Sequence, residues 1–183
     1  LLSKLTKKKV VYNFRQNDLN NGGEGAPLAP IFHKLLIKQN KINLPATILN
    51  IGGIANITSV NKNYEMLSMD IGPGNCLIDK WMRLNTDKSF DQNGSIARLG
   101  KVDKFILEQS IDNFYQNKTS NKRSLDVNDF DLSFVRGLNL ENGAATLTEF
   151  TSDILSKKIL DDDTYVCGGG RKNKFLIESI KKK

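Results

Sequence analysis

Three glycine clusters, each placed directly after an apolar run typical of a β-strand, constrain this chain more than any other feature. They are Asn50-Ile51-Gly52-Gly53, Asp70-Ile71-Gly72-Pro73-Gly74-Asn75 and Val166-Cys167-Gly168-Gly169-Gly170. Without a Cβ, glycine lets backbone N–H groups approach a phosphate or sugar oxygen closely. A strand that ends in glycine and continues into a helix also presents the positive end of that helix to anions. A single cluster is more typical of a tight turn, but three together favour a nucleotide site.

The alternation of strand-like and helix-like runs predicts an α/β fold. Runs rich in β-branched residues predict strands at residues 46–51, 54–60, 66–71 and 165–167, with a hairpin between the first two. Apolar residues at helical spacing predict helices at residues 30–37, 77–84, 144–159 and 174–180. Residues 90–130 are expected to be mostly helical with loops, with the apolar pattern between residues 99 and 114. Trp81 is expected in the core. A strand-like run at residues 10–14 precedes a polar stretch, and residues 117–129 are expected to form a loop.

Asp70 is the candidate catalytic residue, because it stands at the end of a predicted strand, immediately before a Gly-Pro-Gly turn. A carboxylate in that position can take a proton from an attacking hydroxyl group or water. The alternative is an Asp that accepts hydrogen bonds from the backbone of the turn it precedes. Spacing alone slightly favours this alternative.

A further glycine-rich loop, residues 22–25, is preceded by Arg15 and Asp18 and contains Glu24. These polar side chains could contact a polar ligand, although a solvated surface loop is the simpler interpretation. None of the glycine segments contains the Gly-Lys-Ser/Thr end of a Walker A loop or a complete Gly-x-Gly-x-x-Gly.

The formal net charge of +7 and the pI of about 9.4 raise the possibility of a nucleic-acid partner. However, lysines concentrate at residues 7–9 and 181–183, and no aromatic residues alternate with them to stack on bases. We therefore expect neither nucleic acid nor, without an apolar run of about 18 residues, a membrane as partner. Two cysteines and one histidine provide no zinc-type ligand set, and free thiols in a reducing cytosol are expected.

Taken together, the segments resemble anhydro-N-acetylmuramic acid kinases. They occur in the order typical of that family and cover nearly the whole chain. The matching segments are Phe14-Arg15 through Asp18, Gly22 to Leu28 with Phe32-His33, Leu49 to Gly53 with Asn56, Asp70 to Asn75 with Asp79 and Trp81, Phe90-Asp91 with Gly94, Ala145 to Thr148, and Val166 to Gly170 with Asn173.

This resemblance implies an actin-like ATPase fold (ribonuclease H-like, shared with hexokinases and actin), incomplete here, in which ATP binds in a cleft between two lobes. Residues 1–45 would end the N-terminal lobe and form the interlobe substrate segment, and residues 46–183 would form a truncated C-terminal lobe. The implied reaction opens the 1,6-anhydro ring by hydrolysis and phosphorylates O6 with ATP and Mg²⁺. A cytoplasmic homodimer that acts on a small amino sugar in peptidoglycan recycling is expected.

The resemblance also implies roles for individual residues. Asp70 inherits the role of the base that activates water, which reverses the preference that spacing alone gave. The other roles are phosphate binding by Asn50, Gly52 and Gly53, adenosine binding by Gly168, Gly169, Gly170 and Asn173, and sugar binding by Arg15, Asp18, Gly23, Gly25, Gly72 and Asn75.

The sequence also departs from the family pattern. Asn13 and Glu24 stand where the family usually has Asp and Gln, and the segment from Arg123 to Phe130 lacks a second basic residue. The Gly-Thr-Ser-x-Asp-Gly phosphate loop of the family is not found in this sequence, and about half of the family pattern is covered. The 183-residue chain alone is therefore expected to be inactive, and a non-catalytic nucleotide- or sugar-binding remnant is the alternative function.

Overall fold

The computed structural model describes residues 1–23, 25–116, 124–159 and 163–183. The strands are β1 (Ala46–Ile51), β2 (Ile54–Val60), β3 (Met66–Pro73) and β4 (Thr164–Cys167). The α-helices are α1 (Leu2–Thr6), α2 (Phe14–Asn20), α3 (Pro30–Gln39), α4 (Cys76–Asn85), α5 (Lys104–Gln116), α6 (Leu140–Ser156) and α7 (Lys174–Lys181). Short 3₁₀ segments lie at Gln92–Gly94, Ala97–Leu99, Val127–Asp129, Ser133–Val135 and Gly169–Lys172.

The strands form one mixed four-stranded sheet in the order β3-β2-β1-β4. The neighbours β1 and β2, and β2 and β3, are antiparallel, whereas β4 lies parallel to β1. The predicted hairpin is therefore confirmed. In the pairing of β2 with β3, Asn56 faces Asp70 and Ala55 faces Gly72, so β3 carries one extra residue there, as in a β-bulge.

Helices cover both faces of the sheet. One face presents Leu49, Ile51, Ile57 and Ile71 to Leu155 of α6 and Leu176 of α7, and all of these side chains are buried. On the other face, Ile37 of α3 packs against Ala46, Ile48 and Val60. This arrangement confirms the predicted α/β class, with the sheet as its centre.

A second apolar cluster joins the middle of the chain to α6. Trp81 of α4, Phe114 of α5, Phe130, and Leu147 and Phe150 of α6 belong to it. Trp81 is 4% exposed, which confirms its predicted core position, and its Nε1–H donates to Leu140 O at 2.9 Å. Helix α4 is thereby fixed to the first turn of α6.

The prediction of a strand at residues 10–14 is wrong. Helix α2 begins at Phe14, and the residues before it pair with no strand of the sheet. Val11, Tyr12 and Phe14 are mostly exposed. Strand preference expresses packing on a pleated, half-buried surface, and this segment has no such surface to join. Of the predicted loop at residues 117–129, residues 117–123 lie outside the described part of the chain.

None of the helices formed by the described residues has the length and hydrophobicity to cross a membrane.

His33 links α3 to the sheet and predicts how stability depends on pH. Its Nδ1 lies 2.8 Å from Oγ1 of Thr58, and both residues are buried. Burial lowers the pKa of His33 below its usual value of about 6.5. As pH falls through that value, the unfolded chain binds the proton more readily than the folded chain, so we expect the free energy of unfolding to decrease. Urea denaturation between pH 7.5 and 5.5 measures this slope.

His33→Gln is the matched variant, because His33 is the only histidine in the sequence. We expect the variant to lose the part of the pH dependence that lies just below pH 6.5. An equal slope in both proteins would show that His33 does not titrate on unfolding.

Candidate functional site

The three glycine clusters meet at one end of the sheet. We call them the hairpin turn (Gly52 and Gly53), the central turn (residues 72–75) and the third turn (residues 168–170). Gly74 N–H donates to Gly53 O at 2.9 Å, and Asn75 N–H donates to Gly52 O at 2.7 Å. The hairpin turn and the central turn are therefore held together by backbone hydrogen bonds.

Asn75 connects all three turns. It is the N-cap residue of α4, and its Nδ2 donates to Gly52 O at 3.1 Å. A Cβ added to Gly170 would lie 3.2 Å from the same Nδ2, so the third turn passes directly beside it. The Asn75 side chain therefore lies at the centre of the converging turns, and its predicted contact with a sugar stays a prediction.

Two glycines are required by this close packing. A Cβ at Gly74 would overlap Gly52 O, because the central turn lies directly on the hairpin turn. Gly168 has a φ of 82° and lies against Asn50 and Ile51 at the end of β1. Only glycine satisfies both the left-handed backbone and the short approach.

The N–H groups of the hairpin turn differ in availability. Gly52 N–H donates to Ile54 O at 3.2 Å, within the hairpin itself. For Gly53 N–H, no acceptor is found in the described part of the chain, and Gly53 is exposed. Of the two predicted phosphate-binding glycines, Gly53 thus offers the open donor.

Asp70 lies on β3, two residues before the central turn, and is half-buried. Its Oδ2 accepts a hydrogen bond from Leu125 N–H at 2.8 Å. This hydrogen bond fixes the orientation of the carboxyl group.

Asp70 belongs to a row of polar residues that crosses the sheet. Asn50 of β1 pairs with Asn56 of β2, and Asn56 pairs with Asp70 of β3. On the other side of Asn50, its register partner in β4 is Cys167, whose Sγ lies 3.7 Å from Asn50 Oδ1. All four residues are half-buried. We refer to Asn50, Asn56 and Asp70 as the polar row.

A cavity of about 470 Å³ opens beside the third turn. Its walls come from α4, from the segment at residues 90–93 and from the beginning of α7. The lining residues are Asn75, Ile78, Asp79, Phe90, Asp91, Gln92, Asn93, Gly169, Lys172 and Asn173. The cavity brings together Asn75, Gly169 and Asn173 from the predicted site residues.

Asp79 supplies a carboxylate to this cavity, one helical turn after Asn75. Burial raises the pKa of Asp79, and the nearby Arg83 partly opposes that shift. Asp91 and Asn173, by contrast, have structural partners. Asp91 accepts hydrogen bonds from Ile96 N–H and Ala97 N–H, both at 2.9 Å, and Asn173 caps α7 by accepting from Leu176 N–H at 3.0 Å.

The remaining residues that were predicted to bind sugar have contacts of their own within the fold. Gly72 is buried, and a Cβ there would clash with Ile154 of α6. Asp18 Oδ2 accepts from Gly25 N–H at 2.7 Å, and Gly23 packs against the same carboxylate, so this loop closes on itself. Arg15 contributes its Cβ to the surroundings of Gly25. Glu24 and Arg123 lie outside the described residues.

Within the described ranges, no group of three or more His, Cys, Asp or Glu side chains could hold a metal ion. Mg²⁺ is usually held by one or two carboxylates together with substrate phosphates, so a metal cage made of protein is not required for a kinase.

Sequence reasoning missed several features of this site. Lys172 lines the cavity, and Leu125 N–H binds Asp70 from a segment far away in sequence. The polar row depends on strand register, which alternation within one strand does not specify. The one available signal was the i, i+2 spacing of Asn56 and Thr58, which puts both side chains on the same face of β2. That face is the one covered by α3, where His33 contacts Thr58.

Comparison with known proteins gives a consistent result. The sequence profile "Anhydro-N-acetylmuramic acid kinase" matches residues 1–183. A protein of that name from Pelagibacter ubique (strain HTCC1062) is 55% identical over 194 residues, which cover 100% of this chain and 52% of the relative. A protein of the same name from Caulobacter vibrioides is 38% identical, and the match covers 98% of this chain and 49% of that relative. Another from Methylobacterium nodulans is 40% identical, and the match covers 94% of this chain and 47% of that relative. The chain thus spans about half the length of these relatives.

Proposed function

Because this chain belongs to the anhydro-N-acetylmuramic acid kinase family, we propose that the whole protein converts 1,6-anhydro-N-acetylmuramate, water and ATP into N-acetylmuramate 6-phosphate and ADP. The product would enter peptidoglycan recycling. The observation that carries the proposal is the convergence of three glycine turns on Asn75, at the end of the strand that carries the half-buried Asp70. Family membership does not favour the alternative, a non-catalytic remnant.

Asp70 is the proposed general base. It takes a proton from a water molecule while the water oxygen forms a bond to C1 of the sugar and the C1–O6 bond breaks. O6 then forms a bond to the γ-phosphorus of ATP, and ADP leaves. The hydrogen bond from Leu125 N–H to Oδ2 supports this role, because it holds the Asp70 carboxyl group in a defined orientation.

The hairpin turn is the proposed phosphate site. Gly53 is exposed and its N–H has no acceptor among the described residues, and Asn50 lies near the end of β1 on the polar row. Gly52 contributes by shaping the turn. Backbone N–H groups in such a turn bind phosphate oxygens well, since glycine leaves them accessible.

The cavity beside the third turn is the proposed adenosine site. Gly169 lies on its wall, Gly168 and Gly170 shape the turn, and Asn173 begins the helix behind it. Apolar walls from Ile78 and Phe90, combined with a few polar groups, are typical of small-molecule pockets.

Mg²⁺ is proposed as a companion of the ATP phosphates, where it neutralises charge on the transferred group. The described residues offer no ready-made metal site, so Mg²⁺ would be held mainly by the phosphates of ATP.

Sugar contacts are proposed for Asn75 and for the loop from Arg15 to Gly25, including Asp18 and Gly23. Gly72 would act indirectly, since its small size allows β3 to pack against α6. Residues 1–45 would belong to the N-terminal lobe and its connection, and residues 46–183 to the C-terminal lobe of an actin-like fold. The sheet order β3-β2-β1-β4, with β4 parallel to β1, supports that assignment.

A cytoplasmic homodimer, which the family resemblance implies, is the proposed working form, and a reaction that consumes ATP fits the cytoplasm. Light scattering on the whole protein measures its mass in solution, and a monomer would contradict the dimer.

A coupled ADP-release assay on the whole protein tests the proposed function. We expect ATP-dependent turnover with 1,6-anhydro-N-acetylmuramate and little with glucose or N-acetylglucosamine. Absence of turnover with the anhydro sugar, in a folded protein that binds ATP, would contradict the proposal.

Gly169→Val tests the adenosine site. A Cβ at Gly169 comes no nearer than 3.9 Å to Asn75 Nδ2, so the fold can accommodate it, but the side chain would project into the cavity wall. We expect the KM for ATP to rise about tenfold, or about 1.4 kcal/mol, while kcat changes little. Initial rates at varied ATP measure this.

Gly137→Val is the control, because a Cβ at Gly137 meets nothing within 4 Å and the residue is exposed. Its KM should equal that of the parent protein. An unchanged KM in Gly169→Val would remove the third turn from the nucleotide site.

A further inference from the structure

We propose that Asn56 is a positioning residue for the reaction, whose side-chain amide orients Asp70 and the water molecule that Asp70 activates. The inference rests on the proposed function and adds a residue to the same site. It follows from the place of Asn56 in the polar row, between the predicted base and the predicted phosphate ligand Asn50.

Strand register places Asn56 beside Asp70. The two residues are directly paired across β2 and β3, and the extra residue of the bulge comes only after this pair. Directly opposite residues in an antiparallel pair have their Cβ atoms about 4.5–5.5 Å apart, on the same face of the sheet. The Asn56 amide can therefore reach the Asp70 carboxylate directly or through one water molecule.

Among the described residues, none gives the Asn56 amide a structural hydrogen-bonding partner. The side chain is half-buried, and none of the hydrogen bonds found within the described ranges involves its amide. The polar side chains nearby on the same face of the sheet do have hydrogen-bond partners. Thr58 lies at hydrogen-bond distance from His33, and Ser68 Oγ donates to Ile57 O at 3.0 Å. An amide with spare donor and acceptor groups is thus placed next to the proposed base.

The chemistry of the reaction calls for such a group. Water attacking C1 must be held with one proton directed at Asp70 and a lone pair directed at the sugar. An amide can accept the second proton of the water through its oxygen, or donate to the carboxylate through its nitrogen. Two strand spacings, roughly 10 Å, separate Asp70 from Asn50, so Asn56 lies midway between the ring-opening and phosphate ends of the row.

A double-mutant cycle on the whole protein tests this assignment. Asn56→Ala should lower kcat about 10- to 100-fold with the KM for ATP changed by less than about threefold. If Asn56 acts through Asp70, the double variant Asn56→Ala/Asp70→Asn should have nearly the same kcat as Asp70→Asn alone. Losses that multiply would overturn the inference, as would a normal kcat for Asn56→Ala.

Asn56→Asp provides a second measurement in a variant of nearly unchanged shape. A carboxylate opposite Asp70 disfavours a second negative charge, so the acid limb of the kcat–pH profile should move to higher pH. Asn63→Asp adds the same charge at the exposed turn between β2 and β3 and should leave the profile unmoved. Equal profiles for the two variants would overturn the inference.

The outcomes also separate this inference from the proposed function. If the parent protein is active on the anhydro sugar but the cycle is additive and the profiles agree, only the role of Asn56 fails. If the folded parent protein binds ATP but does not turn over the anhydro sugar, both proposals fail.

Discussion

Asp70→Asn in the whole protein should lower kcat by about 10²-fold or more while ATP affinity stays nearly unchanged. The amide cannot accept a proton from water, but its oxygen can still accept the hydrogen bond that Leu125 N–H donates to Asp70 Oδ2 at 2.8 Å. The local fold should therefore survive, and the loss should lie in the chemical step. ADP release at saturating substrates measures kcat, and calorimetric titration measures ATP binding.

Asp112→Asn is the matched control for this change. Asp112 is exposed on α5, and its replacement by Asn removes the same charge at a position away from the three turns. We expect parental kinetics from it. Turnover of Asp70→Asn within about threefold of the parent would refute the assignment of Asp70 as the base.

Trp81→Ala should produce the largest loss of stability, about 3–5 kcal/mol in the free energy of unfolding. The indole is 4% exposed, and a Cβ on Gly143 of α6 would clash with it. Removing it leaves a cavity and also leaves Leu140 O without the N–H that now lies 2.9 Å away. Urea denaturation with linear extrapolation gives the change.

Leu84→Ala lies on the same helix and provides the control. Its side chain is 69% exposed, so we expect a change within about 0.5 kcal/mol. Similar losses in both variants would mean that Trp81 does not anchor α4. Because Asn75 is the N-cap residue of α4, such an anchor also fixes the residue that joins the three turns.

The sheet could be predicted from the sequence largely because its strands are encoded locally. The runs at residues 46–51 and 54–60 agree with β1 and β2, and the glycine pair between them marks the hairpin. Residues 10–14 show the limit of this reasoning. Their composition is that of a strand, but only tertiary packing decides whether a strand has a neighbour.

Helix ends and the site were harder to predict. Helix α6 begins at Leu140, four residues before the predicted start at residue 144. It begins there because Asn139 caps it, with its side-chain oxygen accepting a hydrogen bond from Asn142 N–H at 2.9 Å. The convergence of the turns on Asn75 depends on hydrogen bonds between segments distant in sequence, and no local pattern encodes these. The glycines indicated that other atoms would come close to the backbone of each turn. They did not indicate that these atoms would belong to the other turns.

The parallel strand β4 has a consequence for how the chain acquires its structure. Cys167 reaches Asn50 from 117 residues further along the chain, whereas β1, β2 and β3 are neighbours in sequence. Contacts between distant segments form late, because closing a long loop costs entropy before any contact compensates for it. The hairpins can therefore form early in synthesis with the outer edge of β1 still open to non-native strand partners. Arrival of β4 both pairs that edge of β1 and brings the third turn beside Asn75, so the two events depend on the same long-range contact.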